Sequence, residues 1–368
     1  MRPSISIIAA SAALSLLASA AQVSEPAHAA SRNRDSAPKA QDVSGIDLYR
    51  KSLAAAEAHS YAGHQYITTW TEDGHSTTVV TAVAHRARYE FLQRFTAPKS
   101  RAGRVILENA SNQWTYVPRT NVVIQTARPP QRPDEPDFGL LKQNYALNVA
   151  PKREKIAGRD SYVVTIASKH RKDKALRYWV DVSTGLALRS ERYHADGDLA
   201  SVSYFSDINF HPAFAASTFS PTQWPGARVQ QMMYKSTAAS SMTPSETARS
   251  LGGHAVAPAN MREFKLKSVT RLPAAKQETL HLHYSDGLTS LSVFETLKAH
   301  RKATRMPGSR PIALPGGNTG RIAARGNYCI LNFDTPRNTI TLLGDLSPET
   351  LVDLASSLPV AATSGRRY

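Results

Sequence analysis

The sequence predicts an α+β protein: a curled antiparallel half-barrel covered by helices, followed by a smaller α+β domain. Three observations predict it. Residues 176–210 alternate between apolar and polar side chains with a period of two, as half-buried strands do. Ser183-Thr184-Gly185 and Asp196-Gly197 supply tight turns between three such strands. About ten strands of this kind occur in roughly 150 residues, and one antiparallel sheet of that size curls.

The N-terminus has the pattern of an export signal. Arg2 gives a positive first segment, Ile5 to Leu17 is a short apolar run, and small residues that suit cleavage recur between 20 and 29. The run is short for a membrane span, so a released protein is favoured over a membrane anchor. The expected organisation is a signal peptide at 1–29, a disordered leader at 30–43, a sheet domain at 44–212, a linker at 213–244, a second domain at 245–358 and a tail at 359–368.

The composition favours anionic partners. The chain has 45 Lys+Arg against 29 Asp+Glu, a formal net charge of +16. In an exported protein this favours lipopolysaccharide, phospholipid headgroups or an acidic protein segment, and the export signal argues against nucleic acid. The lone Cys329 excludes an intramolecular disulfide and lies in an apolar run typical of a core strand.

The first domain opens with a helix. Ser44 is a suitable N-cap, and Ile46, Tyr49, Leu53 and Ala56 share one face through about residue 59. Strands follow from residue 61 to 127, and the proline-rich run 128–137 predicts a surface loop. We expect the N-terminal helix and a short helix or flap at 138–147 to cover the sheet.

Aromatic residues are dense on these strands. They indicate either a filled core or a cavity for acyl chains, and the sequence alone leaves both open. The candidates for a lipid-binding groove are Tyr66, Trp70, Tyr89, Phe91, Trp114, Tyr116, Tyr178 and Tyr204.

The second domain has its own helices and strands. A short helix is predicted at 245–251, and strands at 263–272, 277–284, 289–296, 327–334 and 339–344. A mobile basic loop is expected between Arg301 and Gly320. Ser347-Pro348-Glu349 is a strong start for a terminal helix that ends near Leu358.

No catalytic motif is present. The sequence lacks a G-x-S-x-G elbow, an H-E-x-x-H zinc motif and a phosphate-binding glycine loop, so we expect no enzyme and no cofactor. His281 and His283 share a strand face, but no third ligand is signalled nearby, so no metal site is expected. Asp181, Glu191 and Asp207 lie on different strands and are expected to be solvated.

Several runs resemble a known family. In the first domain they are Trp114 to Pro118 (WTYVP), Gly158 to Ile166, Tyr178 to Asp181 (YWVD) and Phe205 to Ile208. In the second they are Tyr284 to Leu288 (YSDGL), Leu291 to Glu295 (LSVFE) and Ile340 to Gly344. The first set resembles the LolA-like fold, and together they resemble the MucB/RseB family of sigma-E regulatory proteins over residues 44–358.

The resemblance implies a periplasmic regulator of envelope stress signalling. Such a protein binds the periplasmic segment of an anti-sigma factor, protects it from regulated proteolysis, and is released by lipid-bearing envelope molecules. The alternative is a periplasmic carrier of lipids or lipoproteins, with lipopolysaccharide or lipoprotein acyl chains as ligands. Homodimer formation is left open. The candidate partner-contact residues are Tyr284, Asp286, Phe294, Arg301 and Arg305.

Overall fold

A computed structural model gives the fold. It describes residues 43–70, 74–127, 136–171, 174–193, 197–222, 224–232, 240–253, 255–256, 258–272, 278–298, 308–314, 318–325 and 328–358. The predicted signal peptide and C-terminal tail lie outside these residues, as does the predicted leader apart from Val43.

The chain folds as two units. Unit 1 consists of Met1–Glu135, Ala146–Ser168 and Asp173–Tyr234, and unit 2 of Pro136–Tyr145, Lys169–Lys172 and Lys235–Tyr368. Each unit is built on its own sheet. The fold is α+β, a large curled sheet with few helices followed by a smaller sheet domain, which confirms the predicted class.

Unit 1 is organised around a sheet of 13 strands. Its main path runs β13-β6-β5-β4-β3-β2-β1-β12-β11-β10-β9-β7, and β8 pairs with β9. Consecutive strands pair as antiparallel neighbours because short turns link them. The elements are α1 (Gly45–Ala58), β1 (Tyr61–Trp70), β2 (Ser76–Arg86), β3 (Glu90–Ala97), β4 (Val105–Glu108), β5 (Asn112–Val117), β6 (Val122–Ala127), α2 (Phe138–Asn144), β7 (Tyr145–Val149), β8 (Glu154–Ile156), β9 (Arg159–Ser168), β10 (Lys174–Asp181), β11 (Ala187–Tyr193), β12 (Leu199–Asn209) and β13 (Arg228–Met232).

Helix α1 covers one face of this sheet, as expected. Ser44 caps it by accepting a hydrogen bond from the Asp47 backbone N–H at 3.4 Å. The helix packs on β9 and β10. Ala55 and Ala56 are buried against a cluster formed by Tyr61, Val83, Leu186, Leu188 and Phe205. The apolar face predicted for the helix is therefore the one that lies on the sheet, although Ile46 and Leu53 are only half-buried.

Most of the segment predicted as a linker, through Tyr234, is part of unit 1. Residues 228–232 form β13, which pairs in parallel with β6, whereas the sequence predicted a purely antiparallel sheet. Phe214, Phe219 and Trp224 pack on the sheet beside Trp114. All five residues of β13 are exposed, so they do not alternate between apolar and polar side chains, and the pattern did not indicate a strand there.

Unit 2 contains a sheet of nine strands. Its main path runs β14-β16-β17-β18-β22-β21-β20-β19, and β15 pairs with β16. One face carries the core, which Leu351, Leu354 and Ala355 of α4 and the following Leu358 complete. Strand β19 falls in the region predicted as a mobile loop, and β20 begins at its end. The elements are β14 (Ser240–Ser241), α3 (Pro244–Arg249), β15 (Asn260–Met261), β16 (Phe264–Leu272), β17 (Thr279–Ser285), β18 (Ser290–Leu297), β19 (Arg310–Ala313), β20 (Thr319–Arg325), β21 (Tyr328–Asp334), β22 (Asn338–Gly344) and α4 (Pro348–Ser356).

Helix α2 belongs to unit 2, although it lies among the residues predicted for the first domain. Gly287 explains how closely it packs. Gly287 has a φ of +98°, and a Cβ at that position would lie 2.3 Å from the backbone N of Leu141. Only glycine permits both the turn and this approach. The sequence predicts that the segment 138–147 covers the first sheet, and this prediction does not hold for α2.

We expect Gly287→Ala to destabilise unit 2 by displacing α2. The matched control is Gly74→Ala, because Gly74 has a φ of +80° but open space around its would-be Cβ. The control should cost about 1 kcal/mol from backbone strain alone. The Gly287 variant should cost roughly 2 kcal/mol more, since backbone atoms must move. Thermal unfolding measures both, and equal losses would show that the contact with α2 contributes nothing.

Candidate functional site

The two faces of the unit 1 sheet are distinguished by strand register. Residues paired across neighbouring antiparallel strands lie on the same face, and successive residues alternate. Tyr61 pairs with His85, and Gln65 pairs with Phe205. These residues share the face on which α1 packs, which we call the helix face. The other side is the opposite face.

The eight candidate groove residues do not share one face. Phe91 and Tyr178 lie on the helix face, where Tyr178 meets Tyr49 of α1 with ring centroids 5.6 Å apart. Tyr89 lies in the turn between β2 and β3 and is 48% exposed. The remaining candidates lie on the opposite face: Tyr66, Trp70, Trp114, Tyr116 and Tyr204. One groove therefore cannot be lined by all eight.

Part of the opposite face is already filled. Trp114 is buried beside Phe219, and Tyr116 stacks on Trp224 with ring centroids 5.2 Å apart. At these two positions the core alternative is the better interpretation. Tyr66 and Tyr204 stack on each other at 5.4 Å and stay half-buried. Trp70 lies on the same strand as Tyr66 and is also half-buried. These three candidates form the aromatic surface that remains on this face.

An arginine–tryptophan cluster lies next to this aromatic pair. Tyr204 pairs with Arg189, which pairs with Trp179. The guanidinium carbons of Arg177 and Arg189 lie 4.6 and 4.8 Å from the Trp179 ring centroid, in the range for cation–π contact. Glu191 is buried and accepts hydrogen bonds from Arg189, so its expected solvation was wrong. The two positive charges here are paired with carboxylates, Arg189 with Glu191 and Arg177 with Glu154 and Glu191.

Asp181 is also buried rather than solvated. Burial acts to raise its pKa, but hydrogen bonds from Arg159 and Thr184 outweigh that effect and hold the pKa below its ordinary value. Arg159 donates twice to the carboxylate, at 2.7 and 3.1 Å. The bidentate pair fixes the turn after β10, so Asp181 has a structural role.

In unit 2, two candidate partner-contact residues are fully buried. Tyr284 and Asp286 both have 0% exposure, and the Tyr284 hydroxyl donates to the Pro258 carbonyl at 3.0 Å. Neither offers surface to a partner, so the expectation of direct contact is not kept for them. Arg301 and Arg305 lie outside the described residues.

Asp286 is the centre of a buried polar cluster. Its Oδ2 accepts a hydrogen bond from the Tyr145 hydroxyl at 2.6 Å and two from Arg171 at 3.3 Å. Arg171 also donates to Glu263 at 2.8 Å. Burial, together with the Asp286 charge, raises the pKa of Tyr145, so its hydroxyl remains a donor. The cluster joins residues 136–145 and 169–171 to the C-terminal part of unit 2.

Phe294 remains available as a contact residue. It is half-buried on the sheet face away from the unit 2 core and stacks on His281 with ring centroids 4.6 Å apart. Burial, and to a lesser extent His283, lowers the pKa of His281. Its Nε2 forms a hydrogen bond with the Ser292 hydroxyl at 2.9 Å. Within the described part of the chain, no group of three or more His, Cys, Asp or Glu side chains could hold a metal ion.

Glu295, next to Phe294, faces the core. Its side chain is fully buried, and its Oε2 accepts a hydrogen bond from the Val256 backbone N–H at 2.9 Å. Its Oε1 is buried without a hydrogen-bond partner among the described residues. Burial raises the pKa of this carboxyl to about 7, only partly offset by the Val256 hydrogen bond. The motif LSVFE did not indicate the burial of Glu295, because an acidic residue in a strand is ordinarily expected to face solvent.

Residues 48–225 match the family model for the MucB/RseB N-terminal domain. This part of the chain belongs to the MucB/RseB family. Two solved structures share the fold of both units. The crystal structure of MucB in complex with MucA(peri) is 16% identical, with a TM-score of 0.56 over 87% of this chain and 100% of that one. The MucA/MucB complex of Pseudomonas aeruginosa is 17% identical, with a TM-score of 0.56 over 87% of this chain and 99% of that one.

Two further findings accompany the MucB/RseB assignment. Among curated proteins, none matches this chain. No helix within the described ranges is both long and apolar enough to cross a membrane.

Glu295 makes the stability of unit 2 depend on pH. In the unfolded chain the carboxyl titrates near its ordinary value of 4.5, and in the folded unit near 7. The folded state therefore holds a proton that the unfolded state has lost, so stability is full below pH 4.5 and falls as pH rises to 7. We expect Glu295→Gln to abolish this slope and to stabilise the protein at pH 8 by about 3 kcal/mol.

Melting temperatures at pH 5 and pH 8 test this expectation. Glu349→Gln is the control, because Glu349 is exposed and its replacement should leave the slope between pH 4.5 and 7 unchanged. A Glu295→Gln variant that keeps the wild-type slope would show that another group causes it.

Proposed function

We propose that the protein is a periplasmic regulator of envelope stress signalling that binds the periplasmic segment of an anti-sigma factor. The observation that carries the proposal is the match to MucB solved in complex with MucA(peri), which spans the whole of that MucB chain. The family model ends at residue 225, whereas the structural match extends over 87% of this chain. A regulator that uses both units is therefore favoured over a one-domain carrier.

The charge of the chain supports a partner with acidic character. The formal net charge is +16, and an exported protein meets few nucleic acids that could balance it. In unit 2, half-buried Phe294 is the candidate contact residue that lies on the surface. An aromatic side chain of this kind is typical of binding hot spots.

Protection and release complete the proposed cycle. A bound segment would be shielded from proteolysis because a protease must take its substrate as an extended, accessible chain. Lipid-bearing envelope molecules would compete for the protein and free the segment. The half-buried aromatics Tyr66, Trp70 and Tyr204 support this step as the candidate groove positions that keep exposed surface on one face.

Binding of the anti-sigma segment tests the proposal. The purified protein is titrated with the periplasmic segment of the anti-sigma factor encoded in the same genome, and the segment is then exposed to its processing protease with and without the protein. We expect a stoichiometric complex, slower cleavage in it, and restored cleavage when lipopolysaccharide is added. If the protein does not bind the segment and carries lipoproteins instead, the regulator function is wrong and the carrier function replaces it.

Phe294→Ala should weaken this complex. The loss of a buried aromatic contact typically reduces affinity by roughly 10-fold or more. Leu297→Ala is the matched control, because Leu297 is an exposed apolar residue of the same strand with its side chain on the other side. Calorimetric titration gives both affinities. Equal affinities for the two variants would remove Phe294 from the interface.

A further inference from the structure

Five basic side chains gather at one end of the unit 1 sheet. Lys99, Arg101 and Arg104 lie in the turn between β3 and β4, Arg119 in the turn between β5 and β6, and Arg228 at the start of β13. We call these five residues the basic end. The two turns are adjacent, since a Cβ on Gly103 would lie 3.3 Å from the Pro118 ring.

Asn121 connects the turn between β5 and β6 to the start of β13 through hydrogen bonds. It has a φ of +48°, which turns the chain into β6. Its side-chain amide donates to the Gly226 carbonyl at 3.0 Å, and its own carbonyl accepts from the Arg228 backbone N–H at 3.0 Å. The Tyr116 hydroxyl donates to its Oδ1 at 3.2 Å. The start of β13 is thus held beside the turn that carries Arg119.

The basic end has no counter-charge within the described part of unit 1. None of its five side chains forms an ion pair there, and the buried Nε of Arg104 has no hydrogen-bond partner. Several other arginines of the unit are paired, as Arg86 is with Glu90 and Arg159 with Asp181. The acids of this region lie at the far ends of their strands, Glu90 opening β3 and Glu108 closing β4. The exposed charge therefore remains available to a ligand.

Strand β13 adds a second feature at the same place. It is the last strand on the main path of the sheet, and all five of its residues are exposed. Val229 and Met232 are 57% and 52% exposed, unusually high for large apolar side chains. No strand among the described residues covers the outer edge of β13. An uncovered edge presents backbone N–H and C=O groups to another chain.

We propose that β13 and the basic end form a docking site for an acidic polypeptide segment in extended conformation. The segment adds to the edge of β13 by main-chain hydrogen bonds, and its carboxylates lie against the basic end. Because Val229 and Met232 are three residues apart on a strand, they point to opposite faces. This spacing suits the alternating side chains of an added strand and does not make a single apolar surface for a bilayer. The inference rests on the proposed function, in which the segment belongs to the anti-sigma partner.

Charge reversal tests the site. Arg119→Glu with Arg228→Glu changes two exposed residues of the basic end. The control is Arg88→Glu with Lys152→Glu, which makes the same change in net charge at exposed residues of unit 1 outside the basic end. For the anti-sigma segment, we expect the first variant to lose about tenfold or more in affinity and most of the salt dependence. The control should lose less than about threefold, since its charges act only at long range.

A synthetic probe separates this inference from the proposed function. A peptide of six Glu-Val repeats should bind the wild-type protein and protect the backbone amides of 228–232 from hydrogen exchange. A peptide of six Lys-Val repeats should do neither. If the anti-sigma segment binds equally well to both variants, the docking site is wrong and the proposed function stands.

If the wild-type protein binds the acidic peptide at β13 but not the anti-sigma segment, the docking site stands and the proposed function fails. Binding of neither peptide nor segment at β13 overturns the docking site. A third outcome is that phosphatidylglycerol vesicles bind through Arg119 and Arg228 while neither peptide binds. The basic end would then be a membrane-binding surface, and the proposed docking site would be wrong.

Discussion

The buried carboxylate of Asp286 is the constraint on which unit 2 depends. A charge without exposure needs partners, and Tyr145, Arg171 and the backbone N–H groups of Leu288 and Thr289 supply them. Two of these partners, Tyr145 and Arg171, precede Asp286 by more than 100 residues along the chain. Removing one partner of a buried ion pair typically costs about 3–5 kcal/mol, so the pair of Arg171 with Asp286 holds the segment 169–171 firmly in the unit. The clearance at Gly287 is required by the same arrangement.

Charge is handled in contrasting ways across the molecule. In unit 2, Glu295 is buried with a single hydrogen bond, and burial raises its pKa to about 7. On the opposite face of unit 1, Glu191 sits between arginines that stack on Trp179. Four of the five residues of the basic end are exposed, and none of the five is paired with an acid among the described residues. Charged side chains that are not paired within the chain can pair with charges of a binding partner. Ionic groups that are already neutralised within the chain gain little from such a partner.

Most strands could be predicted because a period of two is a local signal. The strand 61–70 and the caps at Ser44 and Ser347 follow from short-range pattern and chemistry. Faces could not be predicted, because a shift of one residue in register exchanges them, and this is how Phe91 and Tyr66 came to be grouped together. The burial of Asp286 and Glu191 likewise depends on partners distant in sequence. Only the register of the whole sheet reveals those partners.

The interleaving of the two units along the chain has a consequence for biogenesis. As the polypeptide is made from its N-terminus, residues 136–145 emerge long before Asp286, which lies 141 residues beyond Tyr145. Until then α2 has no surface on which to pack, and an isolated segment of seven residues has little helical structure. Unit 2 can therefore mature only after Asp286 has been synthesised. A gene fragment that begins at residue 235 would encode a unit lacking one of its helices, so dissecting this protein into expressible pieces calls for a grafted or permuted chain rather than a cut.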